Sequence, residues 1–216
     1  METPKLIIFD CDGVLVDSEV IFNEVLSRNL SAHGLPISPV ESMSLFVGGT
    51  MKTVKERAEE MGATLPDDWI DALYAQAFAR LRQGVDMVNG IEDVLDALDA
   101  ARIPYCVASN GSLEKMEITL GQTGLMKRFP NRIFSAYEVG IAKPDPGLFL
   151  HAATTLGHQP DSCVVIEDSV NGVMAAKRAK MKCFGYAEHG DGRKLAAEEA
   201  VVFGDMSLLP ELLGIT

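Results

Sequence analysis

Five short, predominantly apolar runs, most of them followed by a stretch with helical spacing, constrain this chain more than any other feature. They are Leu6 to Phe9, Tyr105 to Ala108, Ile133 to Ala136, Cys163 to Ile166 and Lys182 to Tyr186, with Val201 to Phe203 a weaker sixth. Rich in β-branched and aromatic residues and without polar alternation, they read as strands covered on both faces, as in a parallel sheet. The segments between them supply the cover. Ile91, Val94, Leu95, Leu98 and Ala101 recur at spacings of three and four and share one helical face. Residues 148–156 and 170–179 behave alike. Strand and helix in alternation imply right-handed crossovers and a doubly wound α/β parallel sheet.

One interval breaks the rhythm. The first strand ends near Phe9, the second begins near Tyr105, and the 91–101 helix alone suffices as the crossover between them. Ser18 to Val88 is therefore surplus. It holds no strand-like run, only helical patterns at about 18–33, 39–46, 51–61 and 67–82. The expectation is a core of residues 1–17 and 89–216 and an all-helical inserted domain at 18–88. Thirty-one Asp and Glu against 19 Lys and Arg give a net charge of −12 with no segregated basic patch, which disfavours nucleic acid. No apolar run reaches the roughly 18–20 residues of a membrane helix, and none resembles a signal peptide. Cys11, Cys106, Cys163 and Cys183 lie far apart without metal-binding spacing, so reduced thiols in a cytoplasmic protein are expected.

Polar clusters follow four of the strands. Asp10-Cys11-Asp12-Gly13 follows the first, Ser109-Asn110-Gly111 the second, Lys143-Pro144 the third after a loop, and Glu167-Asp168-Ser169 the fourth. Each has an ordinary structural explanation: Asp and Ser cap helices, Asn-Gly makes turns, and Lys143-Pro144-Asp145-Pro146 makes a stiff loop. Their coincidence is the stronger signal, because ligands of open α/β sheets bind beyond the carboxyl ends of strands. Several carboxylates, a hydroxyl, an amide-rich turn and one lysine at such a place suit a hard cation such as Mg²⁺ together with a phosphate. Asn171-Gly172 reads as packing and capping.

On Asp10-x-Asp12-Gly13, Ser109, Lys143 and Glu167-Asp168, in that order, the chain resembles the haloacid-dehalogenase-like (HAD) phosphohydrolases. The resemblance spans the length, including the helical insertion, which matches the cap of the β-phosphoglucomutase-like subgroup. It implies an aspartyl-phosphate mechanism. Asp10 would be the nucleophile and Asp12 the general acid and base. Ser109, Asn110, Gly111 and Lys143 would bind the phosphoryl group, and Asp10, the Asp12 carbonyl, Glu167 and Asp168 would hold Mg²⁺. Relatives aim the lysine through a bent turn, so a cis Lys143-Pro144 bond is expected. The cap turn Val47-Gly48-Gly49-Thr50-Met51-Lys52, which in relatives closes over the core site, would set substrate choice, with Gly48 and Gly49 allowing close approach and Lys52 meeting a substrate carboxylate.

The implied substrate is a small phosphorylated metabolite, a phosphosugar or a phosphosugar acid such as 6-phosphogluconate. The implied protein is a monomer that engages neither membrane nor nucleic acid. A phosphosugar mutase shares the four motifs, but Met51 stands where the mutase cap has Arg. A dehalogenase does not need Asp12. A phospho-receiver or an inactive binding module is the non-enzymatic alternative, and the retention of Asp10, Asp12 and Lys143 weighs against it.

Overall fold

The computed structural model describes residues 3–46, 50–188 and 190–215. Six parallel strands form one sheet: β1 (Leu6–Phe9), β2 (Tyr105–Ser109), β3 (Ile133–Ser135), β4 (Cys163–Glu167), β5 (Lys182–Tyr186) and β6 (Val201–Phe203). Their order across the sheet is β3-β2-β1-β4-β5-β6. Every residue of β1, β2 and β4 is buried, as continuous apolar runs require. The third run ends one residue earlier than its apolar character suggests. Ser135, the last residue of β3, still pairs with Ser109 of β2, while its hydroxyl caps a short helix, α7 (Ala136–Val139), by accepting the Tyr137 N–H at 3.2 Å, so Ala136 is helical.

Around the sheet lie α5 (Ile91–Ala100), α6 (Leu113–Gln122), α8 (Gly147–Thr155), α9 (Val170–Arg178), α10 (Arg193–Ala197) and α11 (Leu209–Leu213). Ile91, Val94, Leu95 and Leu98 of α5 are the buried face that its spacing gives. One core cluster joins Leu6, Ile8, Cys106 and Val165 of the sheet to Leu148, Phe149, Val173 and Ala176 of α8 and α9. The strand order places the switch point of the doubly wound sheet at β1 and β4. The chain leaves β1 for β2 on one side and enters β4 on the other, which opens a crevice at their carboxyl ends. Phe9 pairs with both Val107 and Ile166, so the ends of β1, β2 and β4 are nearly flush.

The chain divides into two compact units, Met1–Val16 with Met87–Thr216, and Asp17–Asp86. The second is all helical among its described residues: α1 (Glu19–Ala32), α2 (Pro39–Phe46), α3 (Met51–Glu60) and α4 (Trp69–Leu81). Its own core packs Leu26, Leu30, Phe46, Val54, Trp69 and Leu73. The buried polar atoms there are paired: Trp69 Nε1 donates to Asn29 Oδ1 at 2.7 Å, and Asn29 Nδ2 to Gln76 Oε1 at 3.1 Å. Among the described residues, no helix is long and apolar enough to cross a membrane.

Candidate active site

Asp10 is the first residue past β1, and its N–H still donates to Ile166 O of β4 at 2.9 Å. The chain then turns sharply. Leu15 and Val16 return their N–H groups to Cys11 O, and Gly13 adopts φ +71. Glycine is required at this point twice over, by the left-handed backbone and because a Cβ there would fall inside the Asp168 carboxylate. The Gly of Asp-x-Asp-Gly is thus what lets the β1 and β4 loops meet.

Glu167 ends β4 and has no exposure at all. Such a carboxylate costs several kcal/mol to bury unless its oxygens are met. Here Oε1 accepts from Lys143 Nζ at 2.6 Å, while Oε2 accepts from Ser169 N–H at 2.9 Å and Ser169 Oγ at 2.8 Å. Ser169 also caps α9, accepting the Gly172 N–H at 3.0 Å. Gly172 has no room for a side chain, since a Cβ would overlap the Glu167 carboxylate. The packing and capping expected of it serve this carboxylate.

Lys143 lies in the loop after α7, and its peptide bond to Pro144 is cis, as expected. Its Nζ sits between Asp10 Oδ1 at 2.8 Å and Glu167 Oε1, and 5.0 Å from the centre of the Phe149 ring. Burial works against the ammonium, but the charges of Asp10 and Glu167 outweigh it, so Lys143 is held above the ordinary lysine range. Asp10 is pushed up to about 7. Burial is the largest cause, Lys143 pulls the other way, and Glu167 and Asp12 add to the rise.

Asn110 is doubly engaged. Its Oδ1 accepts the Lys143 N–H at 2.9 Å and its Nδ2 donates to Lys143 O at 3.1 Å, so the loop after β2 grips the loop that carries the lysine. Arg178, at the end of α9, holds the next carbonyl, Pro144 O, at 2.7 Å. Ser109 Oγ, 2% exposed as a residue, accepts the Gly111 N–H at 3.0 Å, and Ser135 Oγ donates to Gly111 O at 2.7 Å. Asp12 also lies beside this turn, and its Oδ1 meets Lys115 Nζ at 2.8 Å. Lys115, on α6, is the residue that sequence reasoning missed. The available signal is a lysine in the first turn of a helix capped by Ser112, where the dipole favours acids. Burial opposes its charge, and Asp12 more than restores it, leaving Lys115 raised.

Asp10, Glu167 and Asp168 each offer a carboxylate oxygen, all within 4.8 Å of one another. Asp10 and Glu167 share the single ammonium of Lys143, so carboxylate exceeds lysine charge at this point, and an all-oxygen donor set fits a hard divalent cation. The structure thus brings Asp10, Lys143 and Glu167 into direct contact, places Asp168 within reach of them, and ties Asn110 to Lys143. In the helical unit, Lys52 has an 83% exposed side chain and lies 4.0 Å from Glu56 one helical turn on, a solvated pair. Gly48 and Gly49 lie outside the described residues.

Comparison with known proteins agrees with this architecture. The family model described as haloacid dehalogenase-like hydrolase matches residues 4–180. The 6-phosphogluconate phosphatase of Escherichia coli K12 is 31% identical over 214 residues, 98% of this chain and 96% of that protein. A haloacid dehalogenase-like protein of unknown function from Agrobacterium tumefaciens superposes with TM-score 0.87 at 35% identity, covering 97% of each chain. A HAD family hydrolase from Deinococcus radiodurans, solved with bound phosphate and sodium, gives 0.84 at 29% identity over all of this chain and 98% of its own. With its switch-point cluster of Asp10, Lys143, Glu167 and Asp168 and this breadth of likeness, the chain belongs to the haloacid dehalogenase-like hydrolases, as a phosphatase of that family.

Proposed function

We propose that the protein hydrolyses phosphomonoesters of small metabolites, phosphosugars or phosphosugar acids such as 6-phosphogluconate, in a Mg²⁺-dependent reaction through an aspartyl-phosphate. The observation that carries this reading is the pair of carboxylates on one turn in two different settings. Asp10 lies against Lys143 and the acidic cluster, whereas Asp12 is paired with Lys115 and lies beside Gly111 and Ser109. Two acids so divided suit a nucleophile and a proton carrier.

Asp10 attacks phosphorus, and the P–O bond to the alcohol breaks as Asp12 gives its proton to the departing oxygen. Asp12 then takes a proton from water, which attacks the phosphorus of the acyl phosphate, releases phosphate and returns Asp10 as a carboxylate. Ser109, the backbone amides of Asn110 and Gly111, and Lys143 receive the phosphoryl oxygens. Asp10, Asp168 and the Asp12 main-chain carbonyl would hold Mg²⁺, with Glu167 at one remove because Lys143 and Ser169 already engage its two oxygens. The ion supplies positive charge that offsets the repulsion between carboxylates and phosphate.

The helical unit is assigned as the cap, with leaving-group discrimination falling to Gly48, Gly49 and Lys52. The exposed ammonium of Lys52 is available to a substrate carboxylate. Four free cysteines suit a reducing, cytoplasmic setting. A phosphate-release screen over phosphorylated metabolites, run with Mg²⁺ and with chelator, tests the reading. Metal-dependent release is expected. Isomerisation of a phosphosugar without release would mean a mutase, and no turnover in either condition would mean a binding module.

A further inference from the structure

Lys115 has no part in the scheme above, yet the fold holds it in a defined place. Ser112 caps α6 and accepts the Lys115 N–H at 3.2 Å, which puts Lys115 at the third helical position, where a capping box would carry Glu. Its side chain is only 18% exposed and its ammonium lies 2.8 Å from Asp12 Oδ1. The other oxygen of Asp12 is turned toward the phosphate-binding turn. A Cβ built on Gly111 would stand 3.6 Å from Asp12 Oδ2, 3.3 Å from Ser109 Oγ and 3.7 Å from Lys115 Cδ. Aspartate, serine and the lysine stem therefore surround one point.

We propose that Lys115 is a positioning residue for Asp12: it anchors Oδ1 and thereby presents Oδ2 toward Ser109, where the phosphoryl group is received. The inference rests on the proposed function, in which Asp12 carries the proton. An aspartate has a broad terminal torsion, whereas proton transfer needs heavy atoms within about 2.6–3.2 Å. Anchoring one oxygen to a cation held on a packed helix removes that freedom before substrate arrives. A lysine that gripped the phosphoryl group directly would act independently of Asp12, and this difference can be measured.

The experiment is a double-mutant cycle on the full-length protein with Mg²⁺, using Lys115→Met, Lys115→Arg, Asp12→Asn and the Asp12→Asn/Lys115→Met double variant. Each is assayed on p-nitrophenyl phosphate and on a phosphosugar that the parent turns over. Lys115→Met is expected to lower kcat on the phosphosugar by about 10-fold or more with KM nearly constant, and by less on the aryl ester. Lys115→Arg should recover most of the loss. In the Asp12→Asn background the same change should cost less than about 2-fold on p-nitrophenyl phosphate. Parental kcat in Lys115→Met, a rise confined to KM, or equal losses in both backgrounds would overturn the proposal. A crystal structure of Lys115→Met reads the positioning without turnover. Displacement of the Asp12 carboxylate away from Gly111 is expected, and an unmoved carboxylate overturns the inference. Absence of phosphate release by the parent would defeat the proposed function alone and leave this structural result to decide.

Discussion

Glu167 shows how a single residue in this site is made tolerable. It is fully buried, and Lys143 and Ser169 answer both of its oxygens, in a space that exists because residue 172 has no side chain. Gly172→Ala is therefore expected to lower stability by about 1–3 kcal/mol, the range for forcing an atom into a packed interior, with activity falling as Glu167 is displaced. Urea denaturation checks it, and an unchanged midpoint would show that the carboxylate has room to move. Asp12 gives a second test at this scale. Asp12→Ala should slow phosphosugar hydrolysis far more than aryl phosphate hydrolysis, whose leaving oxygen needs little protonation. Equal losses would make Asp12 a structural residue. That Asp10, Asp12, Ser109, Lys143 and Glu167 would gather at one end of the sheet was legible because each stands next to a strand or in the loop after one. The engagement of Asn110 with Lys143 and of Lys115 with Asp12 was not, since the first spans 33 residues and the second joins helix α6 to the loop after β1.

At the scale of elements, the strand runs and the helical periodicities located the six strands and the helices α1 to α5, α8 and α9, but not α6, α7, α10 or α11. Ile133–Ser135 is followed by helix because the hydroxyl of Ser135, the last strand residue, caps the turn that begins at Ala136. Apolar runs report burial on two faces but carry no signal for which strand lies beside which, so the neighbourhood of β1 and β4 emerged only with the structure. Two loops are also fixed to each other. Asn110→Leu removes both bonds to the Lys143 main chain while keeping the side-chain size. We expect kcat to drop by about 10-fold, as misplacement of a catalytic group by a fraction of an ångström does, with a stability cost of about 1–3 kcal/mol. Thermal unfolding beside steady-state kinetics checks it; intact kcat would show that Arg178 and the two carboxylates hold Lys143 unaided.

For the molecule as a whole, the sheet governs the response to alkali. Cys106, Cys163 and Cys183 lie in β2, β4 and β5, Cys11 lies just past β1, and burial raises all four thiols; Cys163 is pushed up to about 11. Unfolded thiols ionise near 9 while the folded ones remain protonated, so the stability present below pH 9 is progressively lost between pH 9 and about pH 11. Denaturant midpoints that rose or stayed level across that window would contradict the burial. The same thiols should resist alkylation at neutral pH until the chain unfolds. The account as a whole turns on Asp10 forming a covalent bond to phosphorus. Rapid quenching during turnover of a phosphorylated substrate, borohydride reduction and peptide mass spectrometry measure it directly. The account predicts reduction of the side chain at residue 10 to the alcohol, Mg²⁺-dependent and lost with activity in Asp10→Asn; substrate turnover with no modification at residue 10, or full activity in Asp10→Asn, would contradict it.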